Sequence, residues 1–312
     1  MTETAPIDQA SQVEYGPMAP KSALARVLIV DDDPQERRDL ARIVTALGYV
    51  AEVACDGEEA LEKLGANPVD AIVTDLMMPR MDGYTLLKTL LGRGDLTPAV
   101  VLTGRSEVFT LGADLKDPER AAMRSQGLAE RRISLRLGPE MCEAWEKVDA
   151  LTIMAIEGWC VGGGMALAAA CDLRVLGNSA KLYIPEVERG MNMSWGSIPR
   201  LVALVGPART KRLAALCERI DAETAKAWGL ADLVADEGQA FGAAMELAER
   251  AAKLPPTALK LVKADINAAA LALARLASRS DLEAFALMEQ SEDFTEGVTA
   301  FLESRDPKFT GN

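Results

Sequence analysis

The sequence predicts an α/β protein in which a run of parallel βα units leads into a further α/β core closed by a helical C-terminal region. Three observations carry this reading. Short apolar runs (RVLIV, VAEVA, DAIVTD, AVVLTG) alternate with helix-length stretches over residues 26–103, the order that buries a parallel sheet between helices. A strand, a glycine-rich turn and a small-residue helix follow one another in ALTIMAIEGWCVGGGMALAAACDLRVLG. From Pro255 onward, Ala and Leu recur at helical spacing.

Taken in order, residues 1–25 mix Pro, Gln, Ser and Thr without periodicity and read as a flexible leader. RVLIV is a strand closed by Asp31, Asp32 and Asp33, and Pro34 opens a helix whose apolar residues are Leu40, Ile43, Val44 and Leu47, stopped by Gly48. VAEVAC, DGEEALEKL, DAIVTD and MMPRMDGYTLLKTLL repeat the strand–helix pattern. AVVLTG is a fourth apolar strand ending in Thr103, and Pro118 to Lys147 reads as helical. The triple glycine Gly162-Gly163-Gly164 opens the next helix, where a glycine turn presents free backbone N–H groups. The segments expected are a leader at 1–25, an α/β segment at 26–103, a core at 99–254 sharing the strand at 99–104, and helices at 255–312.

Composition excludes several functions. The 312 residues suggest two domains, and 49% hydrophobic with 26% charged residues is ordinary for a globular chain. A net charge of −13 argues against nucleic acid as a partner. No apolar run reaches the roughly 18 residues needed to span a bilayer, and no basic-then-apolar signal opens the chain, so a cytoplasmic location without a membrane partner is expected. Five cysteines without a C-x-x-C pair read as reduced thiols. The chain has no histidine, so proton chemistry falls to carboxylates, Lys, Tyr or Cys.

VDDD at the first strand, TDLMMPRMDG after the third and LTG after the fourth resemble a response-regulator receiver domain. The resemblance implies an acidic pair at Asp31 and Asp32, a phospho-accepting Asp75, a switch hydroxyl at Thr103, Mg²⁺ held through Asp32 and Asp75, and a histidine kinase as partner. On their own, Asp31 to Asp33 read better as caps of the next helix; the joint pattern with Asp75, Pro79, Asp82-Gly83 and Thr103 carries the receiver reading. The chain stops after four of the family's five strand–helix units. Lys116 stands 13 positions after Thr103, too few for a helix of about 10 residues, a strand and their loops. It is therefore not the family's switch lysine, and Asp75 is expected to be a poor phospho-acceptor.

From Ala99 to Phe309 the chain resembles the crotonase (enoyl-CoA hydratase/isomerase) superfamily. Phe109 with Leu111-Gly112-Ala113-Asp114 matches F-x-x-G-A-D, GWCVGGGMALAAACDLRV matches the second oxyanion segment, and IPEVERGMNMSWGSIPRLVALVGPARTKRL matches the segment after it. The fold class becomes α/β with receiver-like parallel βα units running into a crotonase-like ββα spiral core and a C-terminal helical region. The resemblance implies an oxyanion hole from the N–H groups of Leu111 and Gly163, and a catalytic base at Glu186. It places a coenzyme A thioester against Phe109, Gly112, Ala113, Asp114, Lys116 and Gly162, with no cofactor required. Trimers or hexamers of identical chains are implied.

The second carboxylate of typical hydratases falls at Ala166, which favours isomerisation or slow hydration; Glu157 and Glu188 are its nearest acidic substitutes. Glu186 is expected in a pocket walled by Ile184 and Trp195, its pKa raised by desolvation. Because AVVLTG needs neighbours on both sides, one continuous sheet is expected through Val100 to Thr103, with DAIVTD as one neighbour. Three readings stand at this point: an acyl-CoA isomerase or hydratase, a receiver-type signalling module on an inactive crotonase-like scaffold, and a fusion too incomplete for either.

Overall fold

The computed structural model describes residues 25–75, 78–81, 83–92, 97, 99–101, 108–112, 115, 127–272 and 280–312. The first half is β1 (Arg26–Val30), α1 (Pro34–Ala46), β2 (Val50–Ala54), α2 (Gly57–Ala66), β3 (Ala71–Thr74), α3 (Gly83–Gly92) and β4 (Ala99–Val101). Local chemistry starts the first two helices. Asp33 accepts from the N–H groups of Gln35 and Glu36 at 2.6 and 3.0 Å, and Asp56 accepts from that of Glu59 at 2.9 Å. Gly83 opens α3 because the backbone of Asp75 leaves no room there: a Cβ would lie 2.1 Å from the Asp75 carbonyl oxygen.

The second half advances in three strand–strand–helix turns. They are β4, β5 (Val108–Thr110) and α4 (Leu128–Glu146), then β6 (Thr152–Ile156), β7 (Trp159–Val161) and α5 (Gly163–Ala170), then β8 (Leu173–Gly177), β9 (Lys181–Tyr183) and α6 (Ser197–Ala214). In each turn the first strand joins one sheet and the second joins another, which makes a ββα spiral. β10 (Ile220–Asp221), α7 (Ala222–Trp228), β11 (Leu233–Ala235) and α8 (Ala240–Ala252) follow, and then the closing helices α9 (Pro256–Ala270), α10 (Asp281–Met288) and α11 (Glu292–Leu302).

The larger sheet has seven strands in the order β11-β8-β6-β4-β3-β1-β2, all parallel. The smaller has the order β10-β9-β7-β5. Val100 of β4 is in register with Val73 of β3 on one side and Ile153 of β6 on the other. Strands from both halves thus form one sheet through Ala99–Val101. Thr103 lies outside the described residues.

The packing shares its cores in the same way. Successive residues of a strand face opposite sides of a sheet. Val27, Ile29 and Val73 meet Ile153, Ala155 and Phe241 under α1 and α8, while Leu28, Val30 and Ile72 join Met154 and Ile156 on the other face. Each core therefore draws on both halves of the chain, so the described residues of the two halves pack together instead of forming the two separate domains that length alone suggests. A hydrogen bond between Tyr49 and Glu249 of α8 adds a polar tie between the halves.

Candidate active site

The parallel pairing of β7 with β9 builds the site. Val161 is in register with Tyr183, and the Gly162 N–H donates to the Tyr183 carbonyl at 3.0 Å, so the glycine turn at the end of β7 lies beside the chain leaving β9. Three residues on is Glu186. Its own carbonyl accepts from the N–H groups of Arg189 and Met191 at 3.0 and 2.8 Å, which fixes its backbone.

The three glycines of the turn answer to different neighbours. Gly162 has φ of 56°, and a Cβ there would lie 2.7 Å from Glu186 Oε1, so the carboxylate sits directly over the turn. A Cβ on Gly163 would touch the Trp195 ring at 3.1 Å, and one on Gly164 would collide with Thr110 at 2.2 Å. Gly163 is the first residue of α5, where a backbone N–H has no partner within its own helix. The Leu111-Gly112 turn closes against the same place: Gly112 has φ of 81°, and its Cβ would lie 3.2 Å from the Val161 carbonyl oxygen. Leu111, Gly163, Glu186, Ala166, Trp195 and Asn192 share one narrow pocket of 70 Å³, closed on another side by Phe285 of α10.

Trp195 is held in an unusual backbone conformation, φ 63°, which a bulky residue adopts only when its surroundings impose it. The buried Arg200 supplies that constraint. Its Nη1 donates to the carbonyls of Trp195 and Gly196 at 3.0 Å each, and Nη2 pairs with Glu146 of α4 at 2.9 Å. From the other side, Asp281 at the start of α10 accepts from the Gly196 N–H at 2.9 Å.

Electrostatics single out Glu186. Burial pushes its carboxyl up to about 7, against the lowering effect of the Arg189 guanidinium. Its Oε2 is buried without a hydrogen-bond partner among the described residues. Glu157 and Glu188 serve elsewhere: Glu157 accepts from the Ala240 N–H at the start of α8, at 2.9 Å, and Glu188 accepts from the Tyr183 hydroxyl.

Some expected site residues are displaced from the pocket. Phe109 is 3% exposed in the main core, because the middle residue of β5 points between β7 and α5; it does not line the pocket. Ile184 is likewise fully buried in that core and forms no wall. Ala113, Asp114 and Lys116 lie outside the described residues. Three residues that sequence reading did not single out are at the site. Arg189 follows Glu186 by three positions and lines the pocket. Asn192 is a polar residue between two methionines, whereas Phe285 is brought in from almost a hundred positions away and no local signal could find it.

The acidic residues of the first half lie at the carboxyl ends of β1 and β3. Asp31 is 5% exposed, and burial pushes its carboxyl up to about 6, with the charges of Asp75, Glu36 and Asp32 adding to the effect. The Mg²⁺ implied by the receiver resemblance does not fit them. Among the described residues no group of three or more Asp, Glu, Cys or His is placed to hold a metal ion. Asp32 is exposed, and Asp31 Oδ1 is engaged by the Asp33 N–H at 2.8 Å.

Residues 91–312 match the sequence profile of the enoyl-CoA hydratase/isomerase family. The chain belongs to that family. Residues 27–117 match the response regulator receiver domain, so the two matches overlap where β4 sits. Crotonyl-CoA hydratase of Syntrophomonas wolfei is 32% identical, over 82% of this chain and 97% of that protein. Short-chain-enoyl-CoA hydratase of Clostridium acetobutylicum is 32% identical, over 66% and 78%. Among solved structures, carnitinyl-CoA hydratase from Mycobacterium avium superposes with a TM-score of 0.63 at 28% identity, covering 73% of this chain and 87% of the other. Pseudomonas aeruginosa DspI gives 0.57 at 32% identity, covering 77% and 94%. The pocket around Glu186 lies wholly inside the part of the chain that matches the enoyl-CoA hydratase/isomerase family. No helix among the described residues is long and apolar enough to cross a membrane.

Proposed function

We propose that this member of the enoyl-CoA hydratase/isomerase family acts on acyl-CoA thioesters, with Glu186 as its base and the N–H groups of Leu111 and Gly163 as its oxyanion hole. The observation that carries the reading is the Glu186 carboxyl, buried, pushed up to about 7 by that burial and seated over a turn whose first helical N–H is free of its own helix. Glu186 takes the α-proton of the thioester, the bond electrons move onto the thioester oxygen, and the two N–H groups hold the resulting enolate. Each such donor contributes roughly 3–4 kcal/mol to an oxyanion transition state. Returning the proton at the γ-carbon of a 3-enoyl thioester completes an isomerisation with one base and no cofactor.

The pocket at Glu186 is too narrow for an acyl chain as well as the reacting carbons. A cavity of 390 Å³ shares Asn192 and Met193 with it, runs between α6 and α10, and is the space in which the acyl chain is accommodated. Leu261, Val262 and Ile266 of α9 and Leu287 of α10 are large apolar residues left exposed, which supports a homo-oligomer assembled through the closing helices. The receiver-like segment serves as scaffold: it gives β4 one of its two neighbours and fills both cores.

Turnover of short and medium 2-enoyl and 3-enoyl thioesters by the purified protein tests this reading. Saturable turnover lost on Glu186→Gln is expected, and absence of turnover on the whole series would refute it.

A further inference from the structure

A large side chain stands where the backbone suits glycine: Trp195 has φ of 63°, in the left-handed region. Two glycines make room for its ring. In α4, a Cβ at Gly138 would collide with the indole Cε2, Nε1 and Cδ2, the farthest of them at 2.5 Å. Glycine in the middle of a helix is less stable than alanine, so α4 carries this notch at a cost, and the ring fills it. At the other end of the indole, a Cβ at Gly163 would lie 3.1 Å from Cη2 and Cζ3. The five-membered ring therefore rests on α4 and the six-membered ring against the glycine turn, while Arg200 and Asp281 hold the backbone of Trp195 and Gly196. Strain held in place from several elements marks a side chain kept for what it does to a site.

The ring bounds the reacting site and not the space beyond it. Trp195 lines the 70 Å³ pocket together with Leu111, Gly163 and Glu186, but it does not line the 390 Å³ cavity between α6 and α10. With the thioester oxygen at the Gly163 N–H and the α-carbon within reach of Glu186, the first carbons of the acyl group share the smaller pocket with the ring. We propose that Trp195 is a specificity-determining residue: seated in the notch at Gly138, its ring selects acyl-CoA thioesters with an unbranched α-carbon and turns away those carrying a methyl group there. This inference rests on the acyl-CoA reading above. A branch enters only by displacing the ring, and the close approach of Gly138 and Gly163 leaves the ring little room to yield.

The test compares α-carbon deuterium exchange of butyryl-CoA and of racemic 2-methylbutyryl-CoA. The parent should favour butyryl-CoA by about 10² or more. Trp195→Gly suits the backbone and removes the ring, and it should raise exchange of the branched thioester, in absolute rate, by about tenfold or more, a gain that misfolding cannot produce. Trp195→Phe keeps an aromatic ring and shortens it; a smaller rise is expected, and it serves as the test if the glycine variant does not fold. Gly138→Ala pushes on the ring, so it should change the butyryl-CoA rate by about threefold or more in the parent and leave it unchanged in the Trp195→Gly background, where the new methyl group meets no ring. An equal effect in both backgrounds would make Gly138 a matter of helix stability and overturn the notch. A parent that exchanges both thioesters alike, or ring variants that leave the branched rate unraised, overturn the role of Trp195 while Glu186 stays the base. A parent that exchanges neither thioester removes the acyl-CoA reading itself.

Discussion

At the scale of single residues, the proposed function turns on a carboxyl that burial pushes up towards neutrality. Glu186 has a folded-state pKa of about 7, above its ordinary value of 4.5. Between those values the folded protein binds a proton that the unfolded chain has released, so the group costs stability as pH rises through that window. Replacing it by Gln should remove this dependence, and chemical denaturation at pH 5 and pH 8 should show the variant gaining relative to the parent only at the higher pH. Because the base must be ionised, kcat/KM for isomerisation should rise with pH and level off above about 7. Gly162→Ala puts a methyl group 2.7 Å from Glu186 Oε1 at a positive φ, and turnover should fall by about 10² or more through displacement of the base. That the glycine run opens a helix was legible in the sequence because the run is contiguous, and the burial of Glu186 was expected from the family resemblance. The burial of Phe109 in the main core was not legible, because spacing along a three-residue strand does not say which side of the smaller sheet faces solvent.

Elements hold these residues through a few buried charges. The helix α9 is pinned by Lys263, whose Nζ pairs with Asp172 at 2.6 Å and donates to the Ala150 carbonyl at 2.8 Å. Asp172 in turn accepts from the N–H and hydroxyl of Thr152 at 2.7 and 2.8 Å. Removing one partner of a buried ion pair leaves the other uncompensated, and Lys263→Met should destabilise the protein by about 3–5 kcal/mol, read as a lower urea midpoint. The alternation of strands and helices was readable from period and caps, including Asp33 as the cap of α1. The role of α10 was not: that Asp281 grips the Gly196 N–H and Phe285 closes the pocket follows from packing between segments about ninety positions apart.

For the whole molecule, the central strand β4 joins the segment that resembles a receiver to the enzyme core, and neither half keeps a complete core without the other. Heat or urea should therefore unfold the chain in one transition, followed identically by circular dichroism and by loss of turnover. Ile72→Ala, in the receiver-like half, should cost about 2–5 kcal/mol and lower both signals together. Two separate transitions would show that the halves are independent. The same burial speaks to Asp75: with no assembled metal site among the described residues and no lysine at the matching place, incubation with a small phosphodonor and Mg²⁺ should give no stoichiometric phosphorylation. A phosphoryl group that is lost on Asp75→Asn would contradict this. The continuous sheet was legible because an apolar parallel strand requires two neighbours, but the exchange of side chains between both cores was not, since it depends on which helices cover which face.

The measurement closest to the central claim is deuterium exchange from solvent into the α-carbon of a saturated acyl-CoA, which isolates proton abstraction from every later step. The parent protein should exchange, and Glu186→Gln should do so roughly 10²–10⁴ times more slowly with thioester binding little changed. Exchange by Glu186→Gln at the parent rate would mean that another group takes the proton and that Glu186 is not the base.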